Sequence, residues 1–116
     1  MPAKLERPIH YDFVTGRPSE VASELRRRVS AFTRETLNRQ FKIGISCNPE
    51  SRWDNAYKDD YDEMIVLYQS NSIESVSQAE RDLIEHNRHI TKNRVAGGGG
   101  GIGTAPFYLY LVLADK

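Results

Sequence analysis

The stretch that decides the fold is FKIGISCNPESRW, residues 41–53. Its first six residues alternate in polarity and are rich in β-formers, so they predict a strand. Asn48-Pro49 predicts a turn or the entry to a helix. Residues 50–57 then predict a short helix that carries Arg52, eight residues after Gly44. The stretch therefore predicts a strand, a tight turn and a helix that begins close to the end of the strand.

Two further segments predict strands, MIVLY at 64–68 and FYLYLVL at 107–113. Apolar residues at steps of three and four predict helices over 19–39 and 73–86. The fold class that follows is α/β (α+β): a small three-stranded, mainly antiparallel sheet flanked by helices, with an added N-terminal helix.

The N-terminal residues and the glycine run are open to more than one structure. Residues 9–14, IHYDFV, can form an edge strand or an arm on the surface, and the pattern does not separate the two. We assign 1–18 to an N-terminal arm and 19–116 to one domain that includes helix 19–39, since 116 residues suffice for one core. Residues 97–101 are five glycines that precede a strand and not a helix, which favours a flexible connection over a dinucleotide loop.

Charge is balanced in total and uneven along the chain. The 16 basic and 16 acidic residues divide into nine basic and five acidic over 1–46, and two basic and nine acidic over 54–85. The polar face of the first helix carries Arg26, Arg27, Arg28 and Arg34. A DNA backbone would bind such a face at Arg26, Arg27 and Arg34, while a solvated face is the alternative. Arg28, beside the apolar Val29, is expected to pack along the seam between helix and sheet.

The compartment is predicted from what the sequence lacks. The longest apolar run is too short to span a bilayer, and the first ten residues have no signal-peptide core. The single cysteine, Cys47, excludes an internal disulfide. We expect an intracellular protein of the cytoplasm or nucleus that does not insert into membranes.

A second motif follows in AERDLI, residues 79–84, where Glu80 precedes Leu83-Ile84 by three and four positions. This spacing places the carboxylate at the edge of an apolar helical stripe. Together with Ile43-Gly44 and Arg52, it resembles the GIY-YIG nuclease superfamily, and within it the viral and phage branch with a K-I-G-I-[ST] second strand. The resemblance covers about residues 41–95 and leaves a viral or phage origin open.

The resemblance implies a metal-dependent endonuclease that hydrolyses DNA phosphodiester bonds with Mg²⁺ or Mn²⁺. By position, Glu80 would bind the metal and Arg52 would hold the scissile phosphate, roles that suit phosphoryl transfer. A tyrosine would position or activate water, and Tyr57, Tyr108 and Tyr110 are the candidates. Asn93 would support the nucleic-acid site. Lys42, which stands where the superfamily has the tyrosine of YIG, is assigned to nucleic-acid contact.

Two departures from the superfamily leave alternatives open. No strand directly precedes residue 41, so either Tyr11 belongs to a displaced first strand or the C-terminal strand fills the vacant position. We favour the second, a permuted arrangement, because 107–113 is the strongest strand pattern. The alternative function is a catalytically inactive GIY-YIG-like module that binds nucleic acid or protein, and the oligomeric state stays open. An active site would require Arg52 and Glu80 within about 10 Å on one concave surface.

Overall fold

The computed structural model describes residues 9–34, 40–87 and 103–114. The elements in chain order are β1 (Ile9–Val14), α1 (Pro18–Arg34), β2 (Gln40–Ser46), α2 (Pro49–Arg52), its π-helical continuation (Trp53–Tyr57), β3 (Glu63–Ser70), α3 (Ile73–His86) and β4 (Phe107–Ala114). The described strands form one sheet in the order β1-β3-β4-β2.

The α+β class is confirmed, whereas the sheet differs from the prediction of three mainly antiparallel strands. It has four described strands and is mixed, because β1 pairs parallel to β3 while β4 pairs antiparallel to both β3 and β2. The additional strand is the segment 9–14 that was assigned to an N-terminal arm. Its sequence alternates apolar or aromatic residues with polar ones, yet only its two end residues are partly buried, so the pattern fits an edge strand and a surface arm equally.

The helices follow from their caps and their apolar stripes. Helix α1, predicted over 19–39, begins at Pro18 and is described to Arg34, and residues 35–39 lie outside the described part. Asn48 caps α2 by accepting from the amide of Ser51, with Pro49 in the first turn. Ser72 caps α3 by accepting from the amide of Ser75. These caps set where the chain leaves β2 and β3.

Alternation along β4 divides the interior into two clusters on opposite faces of the sheet. Leu109, Leu111 and Leu113 belong to the main core, which also contains the buried residues of α1 and α3. We call this side the helical face. The residues between them, Tyr110 and Val112, belong to a second cluster with Trp53, Tyr57 and Met64. We call that side the tyrosine face.

Strand β4 occupies the position next to β2 that the permuted arrangement requires. Gly44 is opposite Tyr110 and Ser46 is opposite Tyr108 in this antiparallel pair. Strand β1, which carries Tyr11, lies at the other edge of the sheet and does not touch β2 in the strand order. Of the two arrangements left open by the sequence, the structure has the one with the C-terminal strand beside β2.

Candidate functional site

Three polar groups meet on the tyrosine face. The hydroxyl of Tyr110 lies 2.8 Å from that of Tyr57, and Nη1 of Arg52 donates to the Tyr110 hydroxyl at 3.3 Å. Both tyrosines are buried and Arg52 is half-buried. We call Arg52, Tyr57 and Tyr110 the tyrosine–arginine cluster. It joins one solvent-reaching cation to a buried pair of phenols.

The helix geometry explains why Arg52 and Tyr57 reach the same hydroxyl. After Arg52 the helix widens, and the amide of Lys58 bonds to the carbonyl of Trp53 five residues earlier. A turn with this i→i+5 bonding brings residues five apart towards one side of the helix. The widened turn therefore directs both side chains to Tyr110.

Strand β2 supplies the floor of the cluster. Gly44 leaves open the space that the Tyr110 ring fills, since a Cβ there would lie 2.4 Å from the Tyr110 hydroxyl oxygen. Lys42 lies two residues earlier on the same face, with Nζ 5.9 Å from the centroid of the Tyr57 ring. Lys42 is thus a second cation beside the phenols.

The electrostatics of the cluster favour hydrogen bonding over proton abstraction. Burial raises the pKa of Tyr110 far above its usual value, the neighbouring Tyr57 raises it further, and Arg52 offsets only part of this increase. Tyr110 therefore stays a neutral phenol at neutral pH. It can hold Arg52 in position, but it does not serve as a general base.

Arg52 differs from the arginines of α1 in its partners. Arg26 donates to both carboxylate oxygens of Asp82, with Nε at 3.0 Å. Arg27 is ion-paired with Glu24, and Arg28 donates from Nε to the same carboxylate at 2.8 Å. Arg52 has no carboxylate partner among the described residues. Its charge is therefore not balanced by an acid in the way that the charges of Arg26, Arg27 and Arg28 are.

The predicted DNA-binding face of α1 is therefore largely occupied by internal ion pairs. Arg26 fastens α1 to α3 through Asp82, and Arg27 is paired along its own helix. Arg28 also donates to the Asp12 carbonyl of β1, which confirms that it packs between helix and sheet. The side chain of Arg34 lies outside the described residues. The acidic partners offset the positive charge that would attract phosphate to this face.

Glu80 is a buried carboxyl on the helical side of the sheet. Its exposed fraction is 3%, and burial raises its pKa to about 7, with a smaller opposing effect of Arg81. No hydrogen bond or ion pair joins it to another described residue. A carboxyl in such an environment holds its proton at a pH where an exposed glutamate is ionised.

The structure does not bring Arg52 and Glu80 to one described site. Arg52 bonds to Tyr110 on the tyrosine face, whereas the buried residues of α3, the helix of Glu80, pack on the helical face. The placement does not support the expectation that they flank one concave surface. The reason is topological: β2 leads into α2 on one side of the sheet, and β3 leads into α3 on the other. Sequence spacing gives the order of these elements but not their faces.

Tyr108 belongs to a separate group on the tyrosine face. Its ring makes edge contacts with Tyr11 and Phe13 of β1, at centroid distances of 6.4 and 6.0 Å. Nε2 of Gln69 donates to its hydroxyl at 3.4 Å. Phe13 is not among the site residues predicted from the sequence, although the alternating aromatic residues at 11 and 13 are a signal for it. Asn93 and the glycines 97–101 lie outside the described residues.

The described donor set does not fit a magnesium site. No group of three His, Cys, Asp or Glu side chains in the described ranges could hold a metal ion. Glu80 offers one carboxyl, whose raised pKa favours the neutral acid, while Mg²⁺ binds ionised carboxylates.

Two general findings complete the description. Within residues 9–34, 40–87 and 103–114, no helix is long and apolar enough to cross a bilayer. Comparisons with protein-family models, curated proteins and solved structures found no match to this chain.

Proposed function

We propose that the chain is a non-catalytic module that binds the phosphate backbone of nucleic acid on the tyrosine face. The observation that carries the proposal is the Arg52 guanidinium, which is half-buried, anchored by Tyr110 and not ion-paired with any described residue. The hydroxyls of Tyr110 and Tyr57 engage part of its five N–H donors, and the remaining donors can bind phosphate oxygens.

The surroundings of Arg52 favour phosphate binding over a solvated charge. The buried phenol pair restricts the side chain before binding, which reduces the conformational entropy lost on contact. Lys42 adds a second cation on the same face, and its position over Tyr57 restrains it in the same way. Two restrained cations can neutralise neighbouring phosphates of one strand.

Binding without hydrolysis is favoured because the two residues of the predicted nuclease site are carried on opposite faces. Catalysis at one phosphodiester needs the guanidinium and the metal ligand at the same group. Endonuclease activity with Mg²⁺ or Mn²⁺ is a second candidate, and the observation that favours it is Glu80. A buried carboxyl with a raised pKa and no described partner is costly, and such groups concentrate at functional sites.

The binding proposal is tested by fluorescence anisotropy with a labelled oligonucleotide over a series of salt concentrations. Arg52→Gln should weaken binding and lower the slope of log affinity against log salt by roughly one unit, because one phosphate contact is lost. Arg27→Gln is the matched control, since Arg27 is exposed and paired with Glu24. Equal salt slopes for wild type and Arg52→Gln would refute the proposal.

Hydrolysis is tested separately by nicking of supercoiled plasmid with Mg²⁺ or Mn²⁺. We expect wild type to give no more nicked product than Glu80→Gln. A metal-dependent product that disappears in both Glu80→Gln and Arg52→Gln would overturn the non-catalytic proposal and establish the endonuclease.

A further inference from the structure

We infer that the nucleic acid bound on the tyrosine face is single-stranded, and that its unpaired bases stack on the rings of Tyr11, Phe13 and Tyr108. We call these three residues the aromatic patch. The inference rests on the proposed function, because it names the class of nucleic acid that the same face would bind.

The aromatic patch exposes rings that a folded domain normally covers. Tyr11 is 47% exposed and Phe13 is 36% exposed, and they are the large exposed hydrophobic residues among those described. Both meet Tyr108 with ring planes at 82° and 68°. In such an arrangement the edge of one ring meets the face of another, and the exposed fractions show that part of Tyr11 and of Phe13 reaches solvent. Exposed aromatic side chains grouped around a third ring are a candidate binding surface.

The patch and Arg52 share one face of the sheet. Ile9 packs against the cluster of Tyr110, so the alternation of β1 places Tyr11 and Phe13 on that side too. Tyr108 precedes Tyr110 by two residues on β4, which is roughly 7 Å along a strand. The patch spans β1 to β4, and Arg52 lies beyond it at the β4–β2 side. A strand crossing the sheet would meet the aromatic rings and then the guanidinium.

The charged residues around the aromatic patch indicate which class of ligand binds there and along which part of the sheet the ligand lies. Arg52 favours an anionic partner, and ring faces favour planar bases, a combination typical of single-strand binding surfaces. Lys42 lies nearer the acidic end, because it pairs with Val112, the residue before Leu113. The acidic turn Asp59, Asp60 and Asp62 precedes Glu63, which pairs with Leu113 at one end of the β3–β4 ladder. The patch lies towards the other end, where Ser70 pairs with Phe107. A single strand can follow the patch and avoid the acidic end.

Duplex is the weaker fit for two physical reasons. Its base faces are stacked on one another and are not available to Tyr11 or Phe13 without unpairing. Its broad, rigid backbone would also approach the acidic turn. A peptide carboxylate can pair with Arg52, but a peptide lacks the successive planar bases that the aromatic patch would stack.

The test uses fluorescein-labelled strands of about 12 nucleotides, a length within the range of one small binding domain. The probes are oligothymidine, oligouridine, an abasic strand with the same phosphates, and a duplex of equal length. Wild type should bind oligothymidine at least about fivefold more tightly than the abasic strand, because each stacked base adds affinity. It should bind the duplex more weakly than the single strand, and oligouridine reports whether RNA is accepted.

Variants of one exposed ring provide the second measurement. Tyr11→Leu should weaken oligothymidine binding about fivefold and leave abasic binding unchanged, whereas Tyr11→Phe keeps the ring and should retain the affinity. Circular dichroism confirms that each variant is folded. The comparison of oligothymidine with the abasic strand uses the wild-type protein and needs no variant.

The outcomes separate the inference from the proposed function. Equal affinity of wild type for the abasic strand and oligothymidine would overturn stacking, and Arg52-dependent binding of both strands would leave backbone binding intact. Tighter binding to duplex would overturn the single-strand inference alone. Failure of wild type to bind any probe would overturn both.

Discussion

Gly44 and Tyr110 face each other across β2 and β4, and a Cβ on Gly44 would lie 2.4 Å from the Tyr110 hydroxyl oxygen. The Cζ and Cε1 atoms of the ring would lie at 2.6 and 3.0 Å. The space above Gly44 is thus the space in which Tyr110 reaches Arg52. The lack of a side chain at Gly44 therefore allows Tyr110 to hold the guanidinium of Arg52 in place.

Gly44→Ala should therefore destabilise the fold by about 1–3 kcal/mol, because the new methyl group forces the buried ring to move. Urea unfolding measures the change in the free energy of unfolding. The same substitution in a Tyr110→Leu background should cost much less, since the conflicting ring atoms are absent. An equal cost in the two backgrounds would show that the conflict with Tyr110 is not the cause.

Tyr110→Phe removes the hydroxyl that bonds to both Tyr57 and Arg52. We expect a loss of about 1–3 kcal/mol of stability, because the buried Tyr57 hydroxyl loses a partner. We also expect weaker backbone binding, because Arg52 loses its anchor. Tyr108→Phe is the control, since its hydroxyl accepts only a long bond from Gln69 in the described contacts. If Tyr110→Phe binds the abasic strand as tightly as wild type, Tyr110 does not position Arg52.

Glu80 should make stability decrease as pH rises. Its pKa is about 7 in the folded chain and about 4.5 when unfolded, so between these values the unfolded state releases a proton that the folded state keeps. The contribution of Glu80 to the free energy of unfolding is therefore greatest below pH 4.5. About 3 kcal/mol of this contribution is lost once the pH exceeds 7. Urea unfolding at several pH values, with EDTA present, measures the slope.

Glu80→Gln should remove this slope and stabilise the protein above pH 7, because the amide carries no charge to bury. Glu74→Gln, an exposed change on the same helix, is the matched control. A wild-type slope that persists in Glu80→Gln would assign the pH dependence to other groups.

The arginines of α1 should contribute to stability more than to binding. Arg26→Gln removes a two-bond contact to Asp82 that joins α1 to α3, and we expect a small loss of stability at this partly exposed pair, measured by urea unfolding. The double variant Arg26→Gln, Arg27→Gln should keep the salt slope of nucleic-acid binding. A slope that decreases by two units would show that both arginines leave their ion pairs to bind phosphate.

The sequence predicted the strands and helices whose side chains are buried on one face or on both faces. Strands β2, β3 and β4 and helices α1 and α3 follow from apolar periodicity, because the side chains facing the core repeat every two or every 3.6 residues. Strand β1 was not decided, because the alternation of Ile9, Tyr11 and Phe13 fits an edge strand and a surface arm equally when the side chains between its ends are exposed. Its pairing with β3 depends on backbone hydrogen bonds, which every sequence can supply.

The candidate site, like the fold, was predictable from the sequence only in part. The sequence by itself determined the residue types and their spacing: a glycine, then Arg52 eight positions later, Tyr57, Glu80, and two tyrosines in the last strand. Only the tertiary structure decided which of them meet. Sheet order places Tyr110 over Gly44, and the widened turn aims Arg52 and Tyr57 at its hydroxyl. Helix α3 packs on the other face with Glu80, because the face on which a helix packs depends on how the chain leaves the preceding strand, and local periodicity does not encode that direction.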